Sequence, residues 1–460
     1  VSVRDVLLKA VERMRDLGAE FCDARFQDSA DLVIRVSNGE VRTLTDARLS
    51  GFGLRARIGG AWGYSSVVAG DGGKVLDAAT RAVRSARAGA APGRPIQEGK
   101  AVTGHFPARA KAHPSDVPVE DKLSMARELD AAQRTSDKVV NTNAAYVEEV
   151  KKTALVNSLG ADLDWEDVRL RMVASAVAAD AGRREMYHEF MDGTGGMEVL
   201  RKRELNEMGS AAAREAVAML AGIKPPSGRI TCITDPVISG LLAHEVMGHA
   251  SEADEVVKRR SFLTDKVGQA VANEQITMVD DGSVEGAHGS IRFDDEGTPS
   301  SRTVIIKDGV YNGYMHSLET AAELDAAPTG NARAQDFGRR MWVRMTNTFF
   351  EAGEWTLEEM IEDVKFGVIT DRMINGMEDP VGGGFEAKAL RGFLVENGRI
   401  TRPVRSFTLT GKALDILRTT DAVGDRVQLD AGMCGKGSED WVSVSSGGPY
   451  CRSQIIVGGD

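Results

Sequence analysis

Residues 229–250 read Arg229-Ile-Thr-Cys-Ile-Thr-Asp-Pro-Val-Ile-Ser-Gly-Leu-Leu-Ala-His-Glu-Val-Met-Gly-His-Ala250. The first six residues read as a strand. Asp235 is a good helix N-cap, and Pro236 suits the first helical position, where no backbone N–H is needed. A helix therefore starts at 236 and carries His244, Glu245 and His249 near its end. In the H-E-x-x-H spacing of zinc hydrolases the histidines are i and i+4, about 40° apart on the wheel, and face one ion. Here they are i and i+5, about 140° apart on an ideal helix. One regular helix cannot aim both rings at one metal. The spacing predicts a π-type widening or a helix end at 246–248, and Gly248 permits either. The competing reading is a helix end with two unrelated histidines, one acting on the helix dipole. Two histidines do not complete a catalytic zinc site, which takes three protein ligands and an open position. Glu252, Asp254, His288, His316 and the cysteines are all candidates for the third.

Upstream, apolar residues at 6, 7, 10, 11, 14 and 17 recur at helical spacing, and Gly18 supplies a stop. Strands are expected at 21–26, 32–36 and 40–44, the last two joined by the hairpin turn Asn38-Gly39. A second hairpin, 51–58 with 61–65, turns at Gly59-Gly60. Gly51-x-Gly-x-x-Ala56 superficially matches a dinucleotide fingerprint. Phe52, Leu54, Ala56 and Ile58 alternate there, so it is a strand and that reading is rejected. Helices follow at 74–88 and 119–135, and strands at 139–147, 151–157 and 168–178. Residues 89–118 read as an exposed connection. After a helix at 203–221, Lys224-Pro-Pro-Ser-Gly228 is the best boundary. It divides the chain into domains 1–222 and 227–460. The second is strand- and turn-rich. The order of elements gives an α+β fold, with a mixed, sandwich-like N-terminal domain and a strand-rich C-terminal domain that carries the metal-binding helix.

Composition narrows the function. The 460 residues carry a net charge of −11, which disfavours a phosphate backbone as partner. No apolar run reaches the ~18 residues of a membrane helix. The N-terminus does not read as a signal peptide, and four scattered cysteines suit a reducing compartment, so a cytoplasmic location is expected. There are only 7 histidines in all, which makes two of them five residues apart conspicuous.

Ordered short motifs extend along most of the chain. They include His244-Glu-Val-Met-Gly-His249 with Glu252 and Asp254, Asp294-Asp-Glu-Gly-Thr-Pro299, Gly313-Tyr-Met315 and Pro328-Thr-Gly-Asn331. Arg344-Met-Thr-Asn-Thr348, Glu396-Asn-Gly398, Pro403-Val-Arg405, Met433-Cys-Gly-Lys436 and Val457-Gly-Gly459 follow. With the looser Arg35-Val-Ser-Asn-Gly39 and Gly51-Phe-Gly-Leu-Arg55, the sequence resembles the TldD/PmbA family, in its TldD-like, motif-retaining branch. The resemblance implies a zinc peptidase acting on unfolded peptides. It implies Zn²⁺ held by His244, His249 and a C-terminal cysteine, here Cys434; Cys451 lies outside the motif. It also implies a dimer, either a homodimer or a heterodimer with a PmbA-like paralogue. Ala250 stands where the family usually has Gly.

A thiolate donates more charge than an imidazole and weakens the metal as a Lewis acid, so a general base matters more. Glu245, beside a ligand, is the candidate. Glu252 and Asp254 either orient a ligand histidine from behind or are solvated loop acids. Asp294, Asp295 and Glu296, before Gly297, read as a plain turn, and Gly382-Gly-Gly384 likewise. The strand-rich second half suits capture of an extended peptide by strand addition. Two rival functions remain open. One is a noncatalytic or partner-dependent subunit that binds peptides. The other is a topoisomerase-associated modulator, against which the acidic charge argues.

Overall fold

The first helix, α1 (Val3–Asp16), begins at a capping box: the Ser2 hydroxyl accepts from Asp5 N, and the Asp5 carboxylate accepts from Ser2 N. The computed structural model describes residues 2–69, 72–97, 99, 101–379, 381–437 and 440–458. Gly459 of the terminal Val-Gly-Gly motif, and residues 98 and 100 of the expected connection, lie outside the described residues.

Strands β1 (Phe21–Ser37), β2 (Glu40–Ile58), β3 (Ala61–Val68), β4 (Thr103–Phe106), β5 (Val139–Asn157), β6 (Asp162–Asp180) and β7 (Arg183–Thr194) form one sheet. Its order is β3-β2-β1-β5-β6-β4, with β7 also on β6. The two faces differ sharply. Even-numbered residues of β1, apart from the exposed Asp28, are apolar and lie on the helix side. Cys22 and Ala24 meet α1 and α2 (Gly72–Ala88), while Leu32, Ile34 and Val36 meet α3 (Val119–Ala131) and α4 (Leu205–Met219). The odd-numbered residues Asp23, Arg25, Gln27 and Ser29 are buried too, yet polar. They face the second half of the chain, where Arg25 pairs with Asp295 and Arg55 of β2 with Glu296 at 2.9 Å. Asp294, between strands, accepts backbone N–H groups from Glu296, Thr298 and Ala332. The acids expected to be a plain turn are therefore a buried seam between the two halves, although Gly297 still turns, at φ +82°.

The second half holds two larger sheets. In one, pairing runs from Phe366–Asp379 through β8 (Gly228–Thr234), Cys451–Gly458 and Phe407–Lys412 to Gly384–Glu396, which pairs back with the first, so the ring closes. In the other, Gln428–Lys436 is an edge strand beside Asp440–Gly448. The helix after β8 is wedged between these sheets, and its apolar side chains Ile238, Leu241, Leu242 and Val246 join one continuous core with both.

The α+β, strand-rich fold matches the expectation. Strands expected in pieces are continuous. β1 does not break at 27–31, where Gln27 and Ser29 are buried on the face toward the second half, nor β5 at 148–150, where Glu148 is buried on the opposite face and pairs with Lys122 of α3 at 2.6 Å. The stretch 89–118 contributes β4, paired parallel with β6. Among the described residues, no helix is long and apolar enough to cross a membrane.

Candidate metal centre

Asp235 caps the helix that follows β8. Its carboxylate accepts from Val237 N at 3.4 Å and from the Thr370 hydroxyl at 2.6 Å, which ties the helix start to the neighbouring strand. Burial pushes this carboxyl up to about 6, against the hydrogen bond from Thr370. The α-helical part spans only Pro236–Leu241. The backbone is then π-helical over Leu242–Gly248, and His249 N–H closes on His244 O. The i+5 spacing expected to break the helix regularity is met by this wider turn, which returns residue 249 to the side of residue 244. Gly248 is required here for space as well: a Cβ would run into Met345 Sδ and lie 3.2 Å from Ala243 O.

The two imidazole rings stand 5.3 Å apart between centroids, nearly perpendicular at 82°. Cys434, on the edge strand 185 residues away, brings its Sγ within 3.3 Å of His249 Nε2. Ligand atoms of His244, His249 and Cys434 all lie within 4.8 Å of one another, and no other such group of metal-ligating side chains occurs among the described residues. Cys434 and His244 are buried, and His244 Nδ1 has no hydrogen-bond partner. Burial by itself would raise the Cys434 thiol, but the two imidazoles hold it well below its usual range. Burial would likewise lower both histidines, yet the acids and thiol around them raise each. A thiolate and two imidazoles in a water-poor corner, with a buried ring nitrogen left unsatisfied, fit a tetrahedral N₂S donor set for zinc with one position open.

Behind this triad stands an ionic network. Glu252, 1% exposed, places Oε2 3.3 Å from His249 Nδ1. It accepts a 2.8 Å hydrogen bond from Lys436 Nζ, which also donates to Asp254 at 2.7 Å and to Val343 O at 3.1 Å. Burial opposes ionisation of Glu252, but Lys436 and His249 hold it far below the ordinary carboxylate range. Arg344, fully buried, donates to Cys434 O at 2.6 Å and so fixes the backbone that carries the thiol. Of the two acids, Glu252 thus touches a triad histidine, while Asp254 reaches it only through Lys436. Glu245 lies on the triad's more open side, with Oε2 3.8 Å from His249 Nε2.

Among the other candidate third ligands, His288 and His316 lie elsewhere, both buried, with burial lowering them to about 3 and about 4. Cys22, Cys232 and Cys451 are buried and do not belong to the ligand group. Sequence reasoning missed Lys436 and Arg344. Both sat inside quoted motifs, Met-Cys-Gly-Lys and Arg-Met-Thr-Asn-Thr, and a basic residue fixed near a proposed thiolate was the signal available.

Comparison with known proteins agrees from end to end. Three family models match in series: PmbA/TldA metallopeptidase domain 1 over residues 22–90, the central domain over 112–220, and the C-terminal domain over 227–459. A metalloprotease of Methanothermobacter thermautotrophicus is 33% identical over 442 residues, covering 96% of each chain. A zinc metalloprotease TldD homolog of Saccharolobus solfataricus is 29% identical over 258 residues, covering 56% of this chain and 57% of its own. Among solved structures, a Thermotoga maritima protein described as a candidate DNA gyrase modulator superposes with a TM-score of 0.82 at 22% identity, over 100% of both chains. TldE from Thermococcus kodakarensis gives 0.76 at 18% identity, covering 98% of this chain and 99% of its own. At these identities the two structures speak for the fold alone.

Proposed function

The chain belongs to the TldD/PmbA family of metallopeptidases, and from that premise we propose that it is a zinc-dependent peptidase of unfolded or unstructured peptides. The observation that carries this reading is the convergence of His244, His249 and Cys434 from a π-turn and an edge strand into one donor set. These three would hold Zn²⁺, which when bound supplies a Lewis acid for the scissile carbonyl and lowers the pKa of water. Glu245 takes a proton from the attacking water and delivers it to the leaving amine. Glu252 orients His249 through Nδ1 and keeps its other nitrogen available for the metal. Lys436 neutralises Glu252 and Asp254, and Arg344 holds the strand of Cys434 in place.

The substrate class follows from the setting. Cys434 lies on an edge strand, whose outer backbone groups other than the Cys434 carbonyl held by Arg344 would meet an extended peptide, a segment that folded proteins cannot present. A cytoplasmic location suits the reducing conditions a thiolate ligand needs. The boundary at 223–226 separates two folding units, 1–222 and 227–460. Limited proteolysis is expected to cut there first.

A second reading follows from the family to which the chain belongs. In it the chain works as one member of a heterodimer with a PmbA-like paralogue and is inactive alone. A homodimer is the alternative assembly. Nucleic acid is not among its partners, in keeping with the charge of −11.

Metal analysis of the purified chain, with mass spectrometry of a random peptide mixture before and after chelation, tests the proposal. One zinc per chain and chelator-sensitive cleavage are expected. Zinc without cleavage, restored by adding a paralogue, selects the second reading. Absence of zinc removes the first.

A further inference from the structure

The π-turn leaves its backbone groups out of regular order, and two side chains outside the ligand set take up the slack. In an α-helix the Ser251 N–H would close on Met247 O, four residues back. Here it closes on Gly248 O at 2.9 Å, and the Glu252 N–H reaches His249 O at 3.3 Å. Met247 O is met instead by the Ser251 hydroxyl, at 2.6 Å. The Ser251 oxygen in turn lies 2.9 Å from the hydroxyl of Tyr311. Ser251 gives its one proton to Met247 O, so Tyr311 is the donor to Ser251. Two hydroxyls thus run in series from Tyr311 through Ser251 to the backbone of the turn, and both residues are fully buried.

The stretch held in this way, 247–252, is the one on which the site depends. His249 lies two residues after Met247 and two before Ser251, and Glu252 follows at once. His249 Nδ1 is 3.3 Å from Glu252 Oε2, and its Nε2 is 3.3 Å from Cys434 Sγ. A ring caught between two partners tolerates little rotation of the turn beneath it.

Tyr311 is firmly seated. It pairs antiparallel with Ile306, its N–H donates to Gln269 O at 2.9 Å, and its carbonyl accepts from Gly268 N at 2.8 Å. Its ring stands edge-on to Tyr314, 5.5 Å between centroids. A serine bonding back to the carbonyl four residues earlier is common in helices and, alone, is a local matter. The second hydroxyl makes this case different. It comes from 60 residues along the chain and fixes which way the serine points.

We propose that Tyr311 and Ser251 are positioning residues of the metal centre: their hydroxyl chain holds the turn 247–252 so that His249 meets Glu252 with one nitrogen and Cys434 with the other. The proposal deepens the zinc-site reading and rests on it for the effect on metal, whereas the placement of His249 is a property of the metal-free chain.

Zinc affinity is measured by competition with a chromophoric chelator in the parent, S251A, Y311F, the double variant and Y314F. Y314F is the control: it removes a neighbouring tyrosine hydroxyl that bonds to Leu263 O at 3.1 Å and not to the turn. S251A is expected to weaken zinc about tenfold, the low end for partners behind a ligand. Y311F, which keeps the ring, is expected to weaken it by the same factor or less, and to add nothing in the double variant, because the two hydroxyls act as one chain. Y314F is expected to bind zinc as the parent does. In the metal-free chain, ¹⁵N-labelled histidine, assigned with H249A, reports the contact of His249 Nδ1 with Glu252. Y311F and S251A are expected to shift that resonance and Y314F to leave it in place. A zinc affinity or a His249 resonance that does not move in Y311F overturns the proposal. So do additive losses in the double variant, and losses in Y314F equal to those in Y311F, which would mark a general loosening of the core. Should S251A fail to fold, Y311F against Y314F decides. Should the parent bind no zinc, the peptidase reading fails, and the His249 resonance alone decides the proposal.

Discussion

His249 Nδ1 lies 3.3 Å from Glu252 Oε2, three residues further along the chain, and that carboxylate is itself held at 2.8 Å by Lys436. The pair fixes the tautomer and orientation of one proposed ligand. A carboxylate behind a ligating histidine typically contributes 10–100-fold in metal affinity. E252Q is therefore expected to weaken zinc binding by about that factor. Competition with a chromophoric chelator measures it, and unchanged affinity would remove Glu252 from the site.

Cys434 supplies the only thiol of the triad. C434A is expected to lower bound zinc to well under one equivalent and to leave the fold intact, because the residue's backbone stays anchored through Arg344. Metal content by mass spectrometry and the circular dichroism spectrum check both halves of this expectation. Full zinc stoichiometry in C434A would exclude the thiol as a ligand.

Glu245 separates binding from chemistry. E245Q is expected to retain zinc and lose activity by roughly 10²–10⁴-fold, the usual worth of a positioned general base. The comparison requires a substrate from the peptide mixture and zinc content measured on the same preparation. Normal turnover in E245Q would end the proposed proton path.

Much of this site was legible because the residues that carry it are rare or carry local signals. Asp235-Pro236 announced a helix start, and the i+5 spacing of His244 and His249 demanded an irregular turn, which the backbone supplies. Cys434 was a different matter. Nothing local joins it to a helix 185 residues earlier, and only the family resemblance singled it out. The fold failed to read correctly wherever burial and polarity part company. Gln27, Ser29, Asp31, Glu149 and Lys151 look like loop residues by composition. They lie in the middle of long strands, on the face turned toward the second half, from which Arg25, Arg55 and Arg169 reach across the seam. Asp294 to Glu296 misled for the same reason: a turn sequence also carries acids that Arg25 and Arg55 neutralise in the interior.

Gly248 makes a prediction about packing. A methyl group there would meet Met345 Sδ inside the π-turn, and overpacking of a filled core costs about 1–3 kcal/mol. G248A is expected to lose stability by about that amount and to bind zinc more weakly, because relief requires moving His249. Chemical denaturation with and without zinc gives both numbers. A wild-type zinc affinity in G248A would show that the π-turn tolerates the methyl without shifting its histidine.

Glu198 predicts how the N-terminal half responds to acid. Its carboxylate accepts the backbone N–H groups of Lys111 at 2.9 Å, Ala112 at 3.1 Å and Gly196 at 2.9 Å, so it pins the connection before α3 to the loop after β7. Burial, the largest single effect, opposes ionisation, but these donors and Glu198's own N–H together outweigh it and lower the carboxyl from 4.5 to about 2. A depressed carboxylate stabilises the fold fully above its unfolded value, and that contribution fades as pH falls from 4.5 through about 2. At pH 7, E198Q is expected to be less stable than the parent by about 2 kcal/mol, since charged acceptors of this kind contribute roughly 1.5–3 kcal/mol. The gap should narrow steadily below pH 4.5 and close near pH 2, where the parent carboxyl is itself protonated. Urea midpoints of both proteins across that range measure it. A difference that stays constant with pH would mean that shape, not charge, holds the connection in place.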